Sequence, residues 1–337
     1  ARAELTQIFS DGWEGSLAAA AFSRKRFDTT QGADSYAGLF WRAEGEVRRE
    51  GKSRRPRFGF TYSQETGNSN QLNDPGPIRS GGIYAQEEFS LGRWELVAGT
   101  RAETNNIYGS ALTYRVGSGY WLQPETLALR AHYATGFKGP SLYQTYSAFG
   151  SADLNPERSR GAELSLAWQG ENARAEAAIF YQGFRELVDF APNPSPGRFY
   201  NLGRVATKGM ELSGEHSFGP VLMQNAFTWL SAREAGGNPL LRRPEITNNL
   251  RFSYVGATWG GGLDLRFNGR RYDLNPVDYT RERLASFFVV GARASYRASS
   301  VWKITGRAEN LLNRRYQETS GFGTPPLSFY LGAETEL

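Results

Sequence analysis

The chain has 337 residues, with 39 Lys and Arg against 34 Asp and Glu, and it has no cysteine. The lack of cysteine excludes disulfides and thiolate metal sites. A net charge of +5 spread along the chain, without a zinc-finger or aromatic-basic module, argues against a nucleic-acid partner. The chain contains no run of about 18 apolar residues, so a membrane-spanning helix is not predicted.

Taken in chain order, amphipathic segments of about ten residues alternate with connections of two kinds, one tight and one long. The tight connections are Ser10–Gly12, Leu91–Arg93, Gln123–Thr126, Gly170–Asn172, Gly219–Pro220, Gly256–Thr258 and Ser299–Ser300, to which we add the basic Gly51–Arg55. The long connections are Thr29–Asp34, Thr66–Pro77, Thr104–Ser110, Lys138–Pro156, Asp189–Arg198, Glu234–Pro244, Asp273–Arg281 and Gln317–Pro325. This alternation is typical of an outer-membrane β-barrel, which has short periplasmic turns and long outer loops.

Within the segments, apolar and polar residues alternate with a period of two, which predicts strands with one apolar and one polar face. Leu129 and Tyr133, for example, alternate with Arg130 and His132. Since aromatic residues also make up 14% of the chain, we predict an all-β fold, a transmembrane antiparallel up-and-down β-barrel. The polar faces would line its lumen, with the candidates Arg130, His132, Arg174, Glu176, Asp264, Arg266, Lys303 and Arg307.

About seventeen segments can be counted, and the last one ends on the periplasmic side. The first connection is tight, so Ala1–Phe9 would enter from the outer side. Bacterial outer-membrane barrels have an even number of strands, and both chain ends lie on the periplasmic side. We therefore expect that an upstream part is missing; the alternative is a sixteen-stranded barrel that begins near Trp13.

Several short blocks resemble the TonB-dependent outer-membrane receptor family, and they occur in that family's order. They are Tyr84–Glu88, Trp94–Arg101, Thr135–Leu142, Leu154–Ser159, Asn201–Gly203, Lys208–Leu212 and Glu309–Tyr316. In the last block we expect Asn310–Tyr316 to continue a strand toward the exterior. The compact connection Tyr143–Ala152 and the run Asn238–Pro244 are most similar to the vitamin B12 (cobalamin) receptor branch.

The resemblance implies a barrel of about 22 strands around a plug, energised by a TonB-type inner-membrane complex. The plug domain and the first strands are not found, so residues 1–337 are assigned to the barrel alone. Leu337 stands where an aromatic terminal residue is usual in the family.

Aromatic side chains in the long connections are the candidates for ligand contact, since they offer contact area to a large or flat ligand. They are Tyr143, Tyr146, Phe149, Phe190, Tyr200, Tyr272, Tyr279 and Phe322. The alternative for each is a place in the outer aromatic girdle. The acidic residues Glu87, Glu88, Asp189, Asp273 and Asp278 lack the spacing of a calcium loop, so we expect solvated carboxylates, no metal and no cofactor.

The chain has two histidines, His132 and His216, and no motif typical of a catalytic nucleophile accompanies them, so an enzyme is not expected. The favoured function is TonB-dependent uptake of a scarce small-molecule ligand, a cobalamin or a siderophore, across the bacterial outer membrane. The expected partners are outer-membrane lipid, the plug, the TonB-type complex and the ligand. Two alternatives remain open: a passive porin-like pore without a plug, and a structural barrel filled by another envelope protein.

Overall fold

A computed structural model describes residues 1–28, 34–69, 72–73, 76–193 and 197–335. Most of the predicted connection Thr29–Asp34, part of Thr66–Pro77 and the terminal Leu337 lie outside these residues. The strands are β1 Arg2–Ile8, β2 Trp13–Asp28, β3 Asp34–Arg49, β4 Arg57–Ser69, β5 Ile78–Leu91, β6 Trp94–Asn105, β7 Gly109–Gln123, β8 Leu127–Lys138, β9 Glu157–Gln169, β10 Ala173–Arg185, β11 Val188–Ala191, β12 Arg198–Asn201, β13 Arg204–Phe218, β14 Val221–Glu234, β15 Ile246–Val255, β16 Trp259–Asn268, β17 Arg271–Leu274, β18 Arg281–Leu284, β19 Phe287–Arg297, β20 Trp302–Glu309 and β21 Ser328–Thr335. A helix, α1, spans Leu142–Tyr146, and a 3₁₀ turn spans Ser10–Gly12.

In the described part of the chain, seventeen strands belong to one sheet, while β11–β12 and β17–β18 are separate two-stranded sheets. The chain divides into two compact units. Unit 1 comprises Ala1–Tyr120, Arg130–Ala162 and Gln182–Val205, and unit 2 comprises Trp121–Leu129, Glu163–Tyr181 and Ala206–Leu337. Among the described residues, no helix is long and apolar enough to cross a bilayer.

Unit 1 has an apolar and a polar sheet face, because successive side chains of each strand point to opposite sides. Directly paired residues across β1–β7 form an apolar row on one face: Leu5, Leu17, Gly45, Phe60, Ile83, Ala102 and Leu112. The neighbouring row on the opposite face is polar and contains Glu44, Thr61, Gly82 and Glu103. The predicted alternation is therefore present.

Unit 2 repeats this division across β14–β16 and β19–β21. Its apolar row consists of Met223, Phe252, Leu263, Ala292, Ala308 and Phe329. On the opposite face Asp264 pairs directly with Arg251. Exposed Leu and Phe side chains are frequent on both units. For a water-soluble sheet this exposure would be unusual.

The predicted all-β class and the count of about seventeen strands are confirmed. β1 pairs with β2 over Arg2–Ile8, so β1 is part of the sheet and the alternative start near Trp13 was wrong. Two connection assignments were wrong. Only residues 106–108 separate β6 from β7, whereas we expected the long connection Thr104–Ser110.

The second wrong assignment is Gly51–Arg55, which lies in a seven-residue connection, residues 50–56, and not in a tight turn. This segment continues beside β5, where Arg54 and Phe89 form an antiparallel bridge. Glu87 and Glu88, which we expected to be solvated, are in β5 and pair with Arg54 at 3.1 Å and Arg55 at 3.2 Å. The basic connection and the acidic strand end therefore neutralise each other.

The prediction of a strand over Asn310–Tyr316 was also wrong. β20 ends at Glu309 because Asn310 has a φ of 52°, in the left-handed region that a strand cannot use. The Asn310 side chain is buried and bonds the peptide groups of its own connection: Nδ2 donates to the carbonyls of Arg314 and Pro325, and Oδ1 accepts from the Arg314 amide. It thereby holds the start of the β20–β21 connection against its end.

Candidate functional site

Three of the predicted long connections contain regular secondary structure. The predicted connection Lys138–Pro156 contains α1, Asp189–Arg198 contains most of β11 and the first residue of β12, and Asp273–Arg281 lies within hairpin β17–β18. Helix α1 begins with a capping box, in which the Ser141 hydroxyl accepts from the Gln144 amide and the Gln144 side chain accepts from the Ser141 amide. Its buried Thr145 bonds Tyr108 Oη at 2.9 Å. Tyr143 is thereby placed on the exposed side of a fixed helix.

In unit 1, four rings from the connections form one cluster, which we call the aromatic patch: Tyr143, Phe149, Phe190 and Phe199. Phe199 joins two of the other rings, with its ring centroid 6.0 Å from Tyr143 and 5.1 Å from Phe190. Phe149 meets Phe190 edge to face at 6.0 Å. All four remain partly exposed. Such edge-to-face contacts add to the stability of the cluster, and the exposed ring surface is available to a ligand.

Backbone and amide hydrogen bonds hold the two connections of the patch together. The Phe199 amide donates to the Phe149 carbonyl at 2.9 Å. Asn201 bonds both peptide groups of Asn155, accepting from its amide at 2.9 Å and donating to its carbonyl at 3.0 Å. The patch is therefore built on a braced pair of connections and not on a single loop.

Of the candidates in this region, the structure brings Tyr143, Phe149 and Phe190 together. Tyr200 is exposed in β12, where it pairs with Asp189 rather than with Phe190. Tyr146 is half-buried at the end of α1. Phe199 was missed from the sequence. Its signal was the cross-strand pair with Phe190, which becomes visible only when 188–191 and 198–201 are read as a hairpin.

In unit 2, the three connections β14–β15, β16–β19 and β20–β21 meet at Asp273, which has no exposed surface. Its carboxylate accepts from Arg242 Nε at 2.8 Å, from the Ser320 amide at 2.9 Å and from the Leu274 amide at 2.9 Å. Nearby, Arg271 donates to the carbonyls of Gln317 and Glu318. We call these residues the Asp273 network. The prediction of a solvated carboxylate at Asp273 was wrong.

Burial alone would raise the pKa of Asp273, but the hydrogen bonds from Ser320, Arg242 and Leu274 outweigh it and hold the pKa below its ordinary value of 3.8. Burial of the Arg271 guanidinium lowers its pKa. At Asp278, which is exposed at the hairpin tip, the amide and hydroxyl of Thr280 lower the carboxyl pKa. Asp273 therefore stays ionised at neutral pH inside the packed connections.

The candidates Tyr272, Tyr279 and Phe322 lie around the Asp273 network, and within the described part of the chain their rings make no contact with one another. Tyr272 lies under the Arg281 guanidinium at 6.0 Å. Tyr279 has a φ of 56° at the hairpin tip, and Phe322 is exposed. This region thus offers separate aromatic contacts on a charged, braced surface.

The eight residues predicted to face the lumen all lie in strands. Asp264 bonds Arg251 at 2.5 Å and Arg293 at 3.0 Å, and Arg266 pairs with Glu318 at 2.8 Å. The others are Arg174, paired with Glu215; Lys303, paired with Glu334; Arg307, paired with Glu309; and Arg130, His132 and Glu176 on β8 and β10. Their assignment to a lumen stays a prediction.

A family model, described as "TonB dependent receptor-like, beta-barrel", matches residues 2–311. The vitamin B12 transporter BtuB of Vibrio cholerae is 28% identical over 245 residues, which are 71% of this chain and 39% of that transporter. The chain therefore spans about two fifths of the length of the curated relatives that it matches.

Solved structures with the same fold include the siderophore receptor PirA from Acinetobacter baumannii, with a TM-score of 0.80, 16% identity and coverage of 99% of this chain and 62% of that one. The ferric enterobactin receptor PfeA from Pseudomonas aeruginosa has a TM-score of 0.79, 14% identity and coverage of 99% and 61%. The predicted barrel class and the family resemblance are confirmed. The chain belongs to the TonB-dependent receptor-like β-barrel family.

Proposed function

We propose that this chain is the barrel wall of an outer-membrane receptor that takes up a scarce small molecule with energy from a TonB-type complex. The family is one of outer-membrane receptors, and the sheets of both units have the alternating apolar and polar faces that a wet-lumen barrel requires. The polar residues of the strands would then contact a plug and solvate the passage. No covalent step is assigned to the chain.

The aromatic patch is the observation that supports ligand capture most directly. Four partly exposed rings stand on braced connections, which limits the ordering cost of binding. Such a surface suits a ligand with a large, flat apolar part, as a cobalamin or an aromatic siderophore has. The relatives named as a vitamin B12 transporter and as siderophore receptors make these two classes the first to test.

The test is binding by the complete receptor that contains this chain, with cyanocobalamin and a ferric catecholate siderophore as separate probes. Since aromatic anchors contribute most of the binding energy in such sites, we expect Tyr143→Ala and Phe190→Ala each to raise the Kd of one probe by about tenfold or more. Phe218→Ala, at the tight-turn end of β13, is the matched control and should leave the Kd unchanged.

Uptake of the bound probe by whole cells should stop when the proton gradient is collapsed. Binding that is unaffected by both patch variants would contradict the ligand site. A large steady conductance of the complete receptor in a planar bilayer would instead identify a passive pore.

A further inference from the structure

A groove of about 530 Å³ crosses strands β5, β6 and β7 in unit 1, lined by residues 81–83, 102–104 and 110–112. Ile83, Ala102 and Leu112 are direct cross-strand partners, so they share the apolar face. Ile83 and Leu112 are each 66% exposed and form the two walls, while the small Ala102 lies between them. Glu103 points to the opposite face, where it pairs with Arg101. The groove therefore opens on the apolar face.

The polar end of the groove lies toward the long connections. Arg79 lies two residues before Gly81 on the same face of β5, is exposed, and donates from Nε to Gln64 at 3.1 Å. Among the described residues its guanidinium has no carboxylate partner. Between Arg79 and the apolar walls, Gly81, Thr104 and Ser110 are direct cross-strand partners, and the Ser110 hydroxyl donates to Thr104 at 3.3 Å. The groove thus has a cation and two hydroxyls at one end and apolar walls at the other.

An aromatic pair marks the membrane level of this cation. The rings of Trp41 and Tyr62 are in contact on the apolar face, with centroids 5.0 Å apart and planes tilted by 43°. Trp41 lies in the cross-strand row of Gln64 and Arg79, and Tyr62 is the direct partner of Gly81. Since Trp and Tyr favour the headgroup level of a bilayer, Arg79 would lie at the level of lipid phosphates.

We propose that this groove is a binding site for a phosphate-bearing lipid. The Arg79 guanidinium holds the phosphate through charge-assisted hydrogen bonds, and one acyl chain lies over Ala102 between Ile83 and Leu112. The charge complementarity at Arg79 and the apolar walls select an amphiphile over either a free anion or a neutral lipid. This inference rests on the proposed membrane location of the apolar face.

The experiment uses native mass spectrometry to measure how tightly the complete, delipidated receptor binds its first lipid molecule. Phosphatidylglycerol is the probe; a galactosyl diacylglycerol without phosphate and inorganic phosphate are the comparison arms. We expect phosphatidylglycerol to bind about tenfold tighter than the galactolipid, and inorganic phosphate not to compete. Equal binding of both lipids, or displacement by inorganic phosphate, would overturn the proposal.

Two variants separate the phosphate contact from the groove. Arg79→Gln should reduce phosphatidylglycerol binding to the level of the galactolipid, and Ala102→Phe, which fills the groove, should weaken both lipids. Lys25→Gln removes another cation of the apolar face, three strands away on β2, and should change neither. If Arg79→Gln and Ala102→Phe both bind lipid like the wild type, the site does not exist.

Flotation of the receptor with liposomes distinguishes this failure from failure of the proposed function. A receptor that floats with liposomes but whose variants retain normal lipid binding contradicts only the lipid site. A receptor that does not float contradicts the membrane location and, with it, both proposals.

Discussion

At Asp273, a carboxylate in a surface connection is completely withdrawn from solvent, and three hydrogen bonds compensate for the loss of hydration. Its partner amide at Ser320 is 47 residues away in sequence. A single buried charge therefore joins connections that would otherwise move independently. A carboxylate can only accept hydrogen bonds. The NH₂ group of an asparagine at this position would face at least one of the N–H donors, and that donor would lose its acceptor.

We therefore expect Asp273→Asn to lower the free energy of local opening of these connections by about 1–3 kcal/mol, the cost of an unmatched buried polar group. Hydrogen exchange at the Ser320 and Leu274 amides measures this directly, and exchange should become faster in the variant. Asp278→Asn, which changes an exposed carboxyl in the same hairpin, is the control and should leave these two amides protected. Equal protection in wild type and Asp273→Asn would contradict the role of the charge.

The same amides predict a pH dependence. Because the folded-state pKa of Asp273 lies below its ordinary value of 3.8, the stabilisation is complete above that value and is lost as the pH falls through the folded pKa. Protection of Ser320 should therefore be constant from neutral pH down to about 5 and decrease only in stronger acid.

Among the strands, a glycine opposite a long polar side chain allows that side chain to cross to the next strand. Tyr84 on β5 passes over Gly59 on β4 and donates to Glu46 on β3 at 2.7 Å. A Cβ added at Gly59 would lie 2.4 Å from the Tyr84 ring and 2.7 Å from the Gly45 carbonyl oxygen. The backbone oxygen cannot move aside as a flexible side chain can.

We expect Gly59→Ala to destabilise the folded chain by about 2–4 kcal/mol, since it combines overpacking with loss of the Tyr84–Glu46 hydrogen bond. Gly81→Ala is the matched control on the neighbouring strand, where the nearest atom is 3.9 Å away, and it should be neutral or slightly stabilising. Urea unfolding midpoints of the receptor in detergent compare the two. A midpoint for Gly59→Ala equal to that of the control would show that the crossing is not required.

The hairpin β17–β18 explains why an element was missed in the sequence. Its strands place Arg271, Asp273 and Leu284 on the buried side and Tyr272 and Arg283 on the other. An alternation of apolar and polar residues is the usual strand signal, but here the buried side carries charges. The period of two is present, but the charged side of the hairpin is buried only because it contacts Arg242, Gln317 and Ser320 of the other connections.

For the molecule as a whole, the division into an apolar and a polar face predicts that a new charge is far more destabilising on the apolar face than on the polar face. Ile83 lies near the middle of β5 on the apolar face, whereas Gln86 lies on the opposite face beside Glu88. We expect Ile83→Arg to lower folding stability in lipid vesicles by up to about 2–4 kcal/mol, and Gln86→Arg to change it by less than about 1 kcal/mol. Similar effects of both substitutions would mean that the apolar face is not in lipid.

The sequence by itself determined the strand period, the faces of most strands and the family, because these depend on residues that are neighbours along the chain or occur in short blocks. It also indicated three of the four rings of the aromatic patch. The burial of Asp273, the end of β20 at Asn310, the short β6–β7 connection and the place of Phe199 in the aromatic patch were decided by the tertiary structure. Each depends on register and on partners distant in sequence, and a pattern with a period of two contains no information about which strand or connection lies opposite.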